Sequence, residues 1–277
     1  MLQSFNNILL PVDLSPNTEM AVTKAIELVG SKGAVINVMH VVKPENKSSS
    51  FFKEDKISEL NKLKEIIERA VPGTVVNIHI IRGKPVEKMI VQKGKEVHAQ
   101  LIIMARHAKR KWLSFKKPIS SSNIAKETHS AVLTIQPGAF LNKIKSIVLP
   151  IRSFIPKRKV DMLAPFVINK GTTIYLVSIM NKEADDLDYS STSHALIETY
   201  RILKEAANCQ IVHKLVNDNN LAKTLLLFAE SVQADMLLLN PEESQIWSIT
   251  GLQDFSYLLK RQSRLQVMAI DPNSGEP

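Results

Sequence analysis

The chain has 277 residues, 44% of them hydrophobic and 23% charged, which is enough apolar material for a core in each of two ordinary domains and argues against disorder. Its 36 basic and 27 acidic residues leave a formal charge of +9, which admits anionic partners such as nucleotides or nucleic acid without requiring one. A single cysteine, Cys209, excludes an internal disulfide, no apolar run approaches a membrane span, and Met1 to Phe5 carries no signal-peptide pattern, so a cytoplasmic protein is expected.

Asn7 to Val12 is an apolar run ending Pro11-Val12-Asp13, and proline, lacking a ladder donor, belongs at a strand end. Asp13 or Ser15 can then form a turn and cap a helix in which Ala21, Ala25, Ile26 and Val29 recur at helical spacing before Gly30 and Gly33. Ala34 to Val42 reads as a buried strand carrying His40, expected to be a strand-end histidine with a hydrogen-bonded ring, ligand contact being the alternative. After the polar stretch Pro44 to Phe52, Lys53 to Ala70 places Ile57, Leu60, Leu63 and Ile67 on one face of an amphipathic helix. Val75 to Ile81 alternates as strands do, and Gly83-Lys84-Pro85 opens a helix with Val86, Met89, Ile90 and Val97 on its apolar face. Ala99 to Met104 is a fourth strand; Ala131 to Ile135 is a fifth, after a short helix, Ile124 to Thr128, with Ser120 to Asn123 as candidate caps. This alternation of strand and helix predicts a parallel sheet with right-handed crossovers.

In such a sheet ligands bind where the chain leaves the carboxyl end of a strand, so the stretch to search is Ala105 to Lys117. It contains no glycine, the residue that lets backbone amides close on a phosphate. It offers cations and a histidine instead, from Arg106 and His107 to Lys117. Trp112 and Phe115 among them match the pattern used to stack bases, but large aromatics also tuck onto their own domain or dock a protein partner. The acidic cluster Glu183, Asp185, Asp186 and Asp188 reads as a loop without the glycine turn that a metal site wants. No zinc spacing, nucleophile elbow or Walker loop occurs, so no enzyme class is supported.

The second half repeats the first. Ile8-Leu9-Leu10-Pro11-Val12 returns as Ile147-Val148-Leu149-Pro150-Ile151, Ala99 to Met104 as Ala234 to Leu239, and Ala131 to Pro137 as Gln266 to Pro272. The offset drifts only from 139 residues (Ile8 to Ile147) to 135 (Val132 to Val267), which predicts two domains, residues 1–137 and 144–272. Helices are expected at Lys159 to Asn169, Thr192 to Ala207, Leu221 to Val232 and Phe255 to Arg261.

With these residues in view the chain resembles the universal stress protein family in its tandem form. The resemblance rests on Pro11-Val12-Asp13, His40-Val41-Val42, Gly83-Lys84-Pro85, the apolar fourth strand and Ala131-Val132-Leu133-Thr134, in this order over nearly the whole chain. It implies an α/β fold: two tandem copies of a five-stranded parallel, doubly wound domain of Rossmann-like, adenine-nucleotide alpha-hydrolase-like type. It also implies pairing of the two domains within the chain through their last strands, a homodimer as a further step, and a role in stress adaptation. On the family's template the nucleotide-binding positions are Pro11, Val12, Asp13, Val41, Met104, Ala105, His107, Ala108 and Lys109. The basic loop Arg106, Arg110, Lys111, Lys116 and Lys117 lies beside them.

The ATP-binding branch of the family is marked by Gly-x-x-Gly, nine residues, then Gly followed by Ser or Thr. Laid on this chain those positions become Ala105, Ala108, Pro118 and Ile119, and in the second half Asn240, Glu243, Gln253 and Asp254. Side chains there keep the backbone off phosphates, Pro118 deletes an amide donor, and Glu243 and Asp254 repel a triphosphate. The expectation is a stress-response binding or regulatory module with a degenerate nucleotide site, no metal and no certain cofactor. The alternative is a protein that binds ATP or another adenine nucleotide through the basic loop, with weak hydrolysis. Asp13 is then either an adenosine-side carboxylate or a cap. A small-molecule or protein partner stays open, nucleic acid is the third reading, and no membrane is expected.

Overall fold

Short apolar runs form the strands, and each amphipathic segment between them folds back as a helix because a sheet can bury its apolar faces only under such a layer. The structure, a computed structural model, describes residues 5–29, 33–42, 50–106, 119–137, 143–167, 171–180, 185–206, 209–218, 221–241, 259 and 263–271. His107 to Lys117, Glu183, Trp247 and, apart from Leu259, the helix expected at Phe255 to Arg261 lie outside the described residues.

In the first half the strands are β1 (Asn7–Val12), β2 (Val35–Val42), β3 (Val75–Arg82), β4 (Leu101–Ala105) and β5 (Ala131–Ile135), with helices α1 (Thr18–Leu28), α2 (Ser50–Ala70), α3 (Val86–Glu96) and α4 (Ser121–Thr128). The second half has β6 (Ser146–Ile151), β7 (Thr173–Met180), β8 (Gln210–Asn217), β9 (Met236–Leu239) and β10 (Gln266–Ala269), with α5 (Lys157–Met162), α6 (Ala164–Val167), α7 (Asp186–Ala206) and α8 (Leu221–Ser231). Ten strands make one sheet in the order β3-β2-β1-β4-β5-β10-β9-β6-β7-β8. Strands within each half are parallel; the join between β5 and β10 is antiparallel, pairing Val132 with Ala269, Leu133 with Met268 and Thr134 with Val267. Leu133 and Met268 are counterparts in the repeat and pair with each other, so a local two-fold passes between them. The join also removes two open sheet edges.

One face of the sheet carries a core continuous across both halves, from Leu10, Val38 and Leu133 to Leu149, Leu176 and Met268, under α1, α2, α5, α6 and α7. The other face is divided: Leu9, Met39 and Ile102 pack with residues of α3 and α4, and Val148, Val177 and Leu237 with residues of α8. Among the described residues no helix is long and apolar enough to cross a membrane.

Three expectations are corrected. The helix expected at Lys159 to Asn169 begins at Lys157 and breaks after Met162 into α5 and α6, because Pro165 has no N–H to give to the carbonyl one turn back. The helix expected from Thr192 begins at Asp186, so Asp186 and Asp188 are first-turn residues rather than loop. The Asp185 Oδ1 accepts from the Asp188 N–H at 2.8 Å, and carboxylates at this end complement the helix dipole. Likewise α4 starts three residues earlier than expected, capped by the Ser120 hydroxyl, which accepts from the Asn123 N–H at 3.2 Å.

Candidate functional site

The strand order reverses between β1 and β4, and the peptide groups of β1 decide how the crevice there is made. The Asn6 carbonyl accepts from Val35 of β2 and the Asn7 carbonyl from Gln100 beside β4, so odd-numbered residues of β1 face β4. Pairing with β4 stops at Leu9 and Ile102, two residues before Pro11. The missing donor of Pro11 therefore points into the gap where the strands part and costs no ladder bond. The second half repeats the device: Ser146 faces β9, Pro150 shares its side, and pairing stops at Val148 and Leu237.

Around this crevice the structure brings together part of the expected residue set. Val12 is buried, Pro11, Val41, Met104 and Ala105 are half-buried, and Asp13 is exposed at the rim. The Asp13 Oδ1 accepts from the Ser15 N–H at 3.1 Å and from the Thr18 hydroxyl at 3.4 Å, while the Ser15 hydroxyl accepts from the Asn17 N–H. Asp13 thus forms the turn ahead of α1, and Asn17 occupies the position before the helix without capping it. The Asn17 side chain instead donates to the Arg106 carbonyl at 3.2 Å, a bridge from the loop after β1 to the loop after β4.

Two basic side chains at the crevice are committed elsewhere. Arg106 donates through Nη1 to Gln136 Oε1 at 3.0 Å and to the Leu259 carbonyl at 2.8 Å, so it ties the end of β4 to the second half. Lys56, from α2, lies 3.2 Å from His40 Nε2, and the other ring nitrogen, Nδ1, lies 2.9 Å from the Val12 carbonyl. A carbonyl only accepts and an ammonium only donates, so His40 is neutral with its proton on Nδ1. Burial pushes its pKa below the ordinary 6.5 and Lys56 adds to this, against the Val12 carbonyl, Asp13 and Glu59. His40 therefore has the hydrogen-bonded ring expected of it.

Asn17, Lys56 and Gln136 were missed from the sequence. Each meets its partner across 16 to 89 residues of chain, and no local pattern encodes such a meeting. In the second half Arg152 stands for Asp13 and Ser178 for His40; the Ser178 hydroxyl is buried with no hydrogen-bond partner among the described residues. No group of three metal-ligating side chains occurs among the described residues.

Comparison with known proteins gives the fold a context. The universal stress protein family description matches residues 4–136. No curated protein matches the chain by sequence. A universal stress protein from Archaeoglobus fulgidus superposes with a TM-score of 0.67 at 14% identity, covering 98% of both chains. A putative universal stress protein from Pseudomonas aeruginosa gives 0.56 at 12%, covering 98% of this chain and 94% of its own. The cytoplasmic domain of a prokaryotic cation chloride cotransporter gives 0.58 at 12%, covering 98% and 97%. At these identities the superpositions speak for the fold alone. The first half of the chain thus matches the universal stress protein family description, and the whole chain shares the fold of universal stress proteins of known structure.

Proposed function

We propose that the chain is a two-copy binding or regulatory module of the stress response, working in the cytoplasm, with domains 1–137 and 144–272 and a degenerate nucleotide site in the first. One observation carries the reading: the described side chains at the β1/β4 crevice that could meet a triphosphate are engaged elsewhere, Arg106 with Gln136 and Leu259 and Lys56 with His40. Redirecting them toward phosphate breaks charge-assisted hydrogen bonds before any new one forms, which lowers affinity. The bridge from Asn17 to the Arg106 carbonyl further narrows the approach. A similar fold stands in the cytoplasmic domain of a transporter, which supports a module coupled to a protein partner. A second copy of this chain or a small molecule are the other partners consistent with it.

The test is a calorimetric titration of the full chain with magnesium ATP. The expected outcome is no saturable binding tighter than about 1 mM. Micromolar saturation, weakened when Lys109, Arg110 and Lys111 are changed to alanine, overturns the reading in favour of an adenine-nucleotide protein acting through the basic loop. Asp13 favours that second reading, since it is the family's adenosine-side residue and stays exposed at the crevice rim.

A further inference from the structure

At the amino ends of the second half's strands, across the sheet's length from the crevices, lies a groove of about 630 Å³. Ser146, Thr173 and Tyr175 form its sheet wall, the residues following α8 one side, and Lys143, Lys145 and Arg264 its rim. At the same place in the first half asparagine side chains bond to one another across the strands. There Asn37 Nδ2 donates to Asn7 Oδ1 at 2.9 Å, Asn77 Nδ2 to Asn37 Oδ1 at 3.4 Å, and Asn7 Nδ2 to the Val97 carbonyl. Two glycines make the same contrast. A β-carbon on Gly33 would lie 2.5 Å from the Gly73 carbonyl oxygen, whereas one on its counterpart Gly171, in the groove wall, meets nothing within 4 Å.

Among the described residues the groove's lining is positive, with Lys143, Lys145 and Arg264 against Asp235. Its one carboxylate, Asp235, is buried and already accepts from the backbone N–H groups of Lys145 and Ser146, both at 3.0 Å, and from Arg264 Nη2 at 2.5 Å. Gln100 does the same backbone duty in the first half as a neutral side chain, accepting from Asn6 and Asn7. Among the described residues neither the Lys143 nor the Lys145 ammonium has an anionic partner, and both side chains are exposed. The C-terminus of α8 faces this end and contributes only about half a negative charge. The Ser146 hydroxyl is buried without a hydrogen-bond partner among the described residues.

We propose that this groove is a binding site for a phosphate group, free or carried on a small ester. Lys143 and Lys145 supply the charge, Arg264, whose Nε and Nη2 are held by Asp235, adds the N–H groups of Nη1, and Ser146 supplies a hydroxyl. An ester would place its organic part along Tyr175.

The experiment is a calorimetric titration of the full chain with inorganic phosphate and, separately, glycerol 3-phosphate, at ionic strength held constant with sodium chloride. Saturable binding at one site per chain is expected, weakened about tenfold or more in the Lys143→Ala/Lys145→Ala double variant. These exposed lysines leave the fold intact, which an unchanged Tm verifies. Tighter binding of the ester identifies a phosphorylated metabolite as the source, and equal binding identifies free phosphate. Absence of saturation, or equal affinity in the double variant, overturns the proposal. The magnesium ATP titration reports on the crevice, and phosphate binding lost in the lysine double variant reports on the groove, so failure of one reading is separable from failure of the other.

Discussion

His40 shows how much one side chain can report on its surroundings. Buried between a carbonyl and an ammonium, it keeps a folded pKa below 6.5. The unfolded chain therefore binds more protons in the window beneath 6.5, and stability rises with pH through that window. The histidine's contribution is full above about pH 6.5 and is lost as pH falls toward the folded value. Thermal unfolding of the wild type and His40→Asn between about pH 8 and pH 5 should show a steeper acid loss in the wild type. Parallel curves would mean that His40 does not change its proton on unfolding. His79 is also depressed, by burial first and Lys93 second, but it stands in both proteins and cancels in the difference.

Elements end where backbone conformation demands it, and the turns ahead of β2 and β3 test this. Gly33 and Gly73 both have positive φ, +71° and +85°. Alanine at either pays the left-handed penalty of about 1 kcal/mol or more. At Gly33 the new methyl also runs into the Gly73 carbonyl, a backbone atom that cannot swing away, while at Gly73 it enters open space. Urea unfolding should therefore show Gly33→Ala as clearly less stable than Gly73→Ala, and equal losses would show that the turn gives way. Pro165 marks an ending of another kind: apolar spacing continues through it, but the ladder of N–H donors does not.

At the scale of the whole molecule the halves behave as one body. Their shared core lies on one face of a continuous sheet, and Leu133 and Met268 at its centre are fully buried. Beside the join, Arg158 Nη1 donates to the Asp271 carbonyl at 3.0 Å and Nη2 to the His129 carbonyl, while His129 Nδ1 lies 2.7 Å from Asp271 Oδ2. Arg106 with Gln136 and Leu259 clamps the other end of β5. Covalent linkage makes this pairing intramolecular, so it does not depend on protein concentration. Calorimetry should show one unfolding transition whose calorimetric and van't Hoff enthalpies agree, at a Tm independent of protein concentration. Two resolved transitions would show that the halves fold separately and only dock.

The sequence by itself determined the strands, most of the helices between them, and the duplication, because these depend on apolar periodicity and on residues such as Pro11 and Pro150, whose effects are local or repeat at a fixed offset. It also singled out the end of β1 and the end of β4, which the structure brings together at one crevice. Only the tertiary structure decided what those residues do: that Arg106 turns toward Leu259, that Lys56 holds a neutral His40, and that a groove lies in one copy where asparagines bond across the strands of the other. Such partnerships join residues distant in the chain. A hydrogen bond depends on distance and angle after folding, and neither is written in the order of the residues.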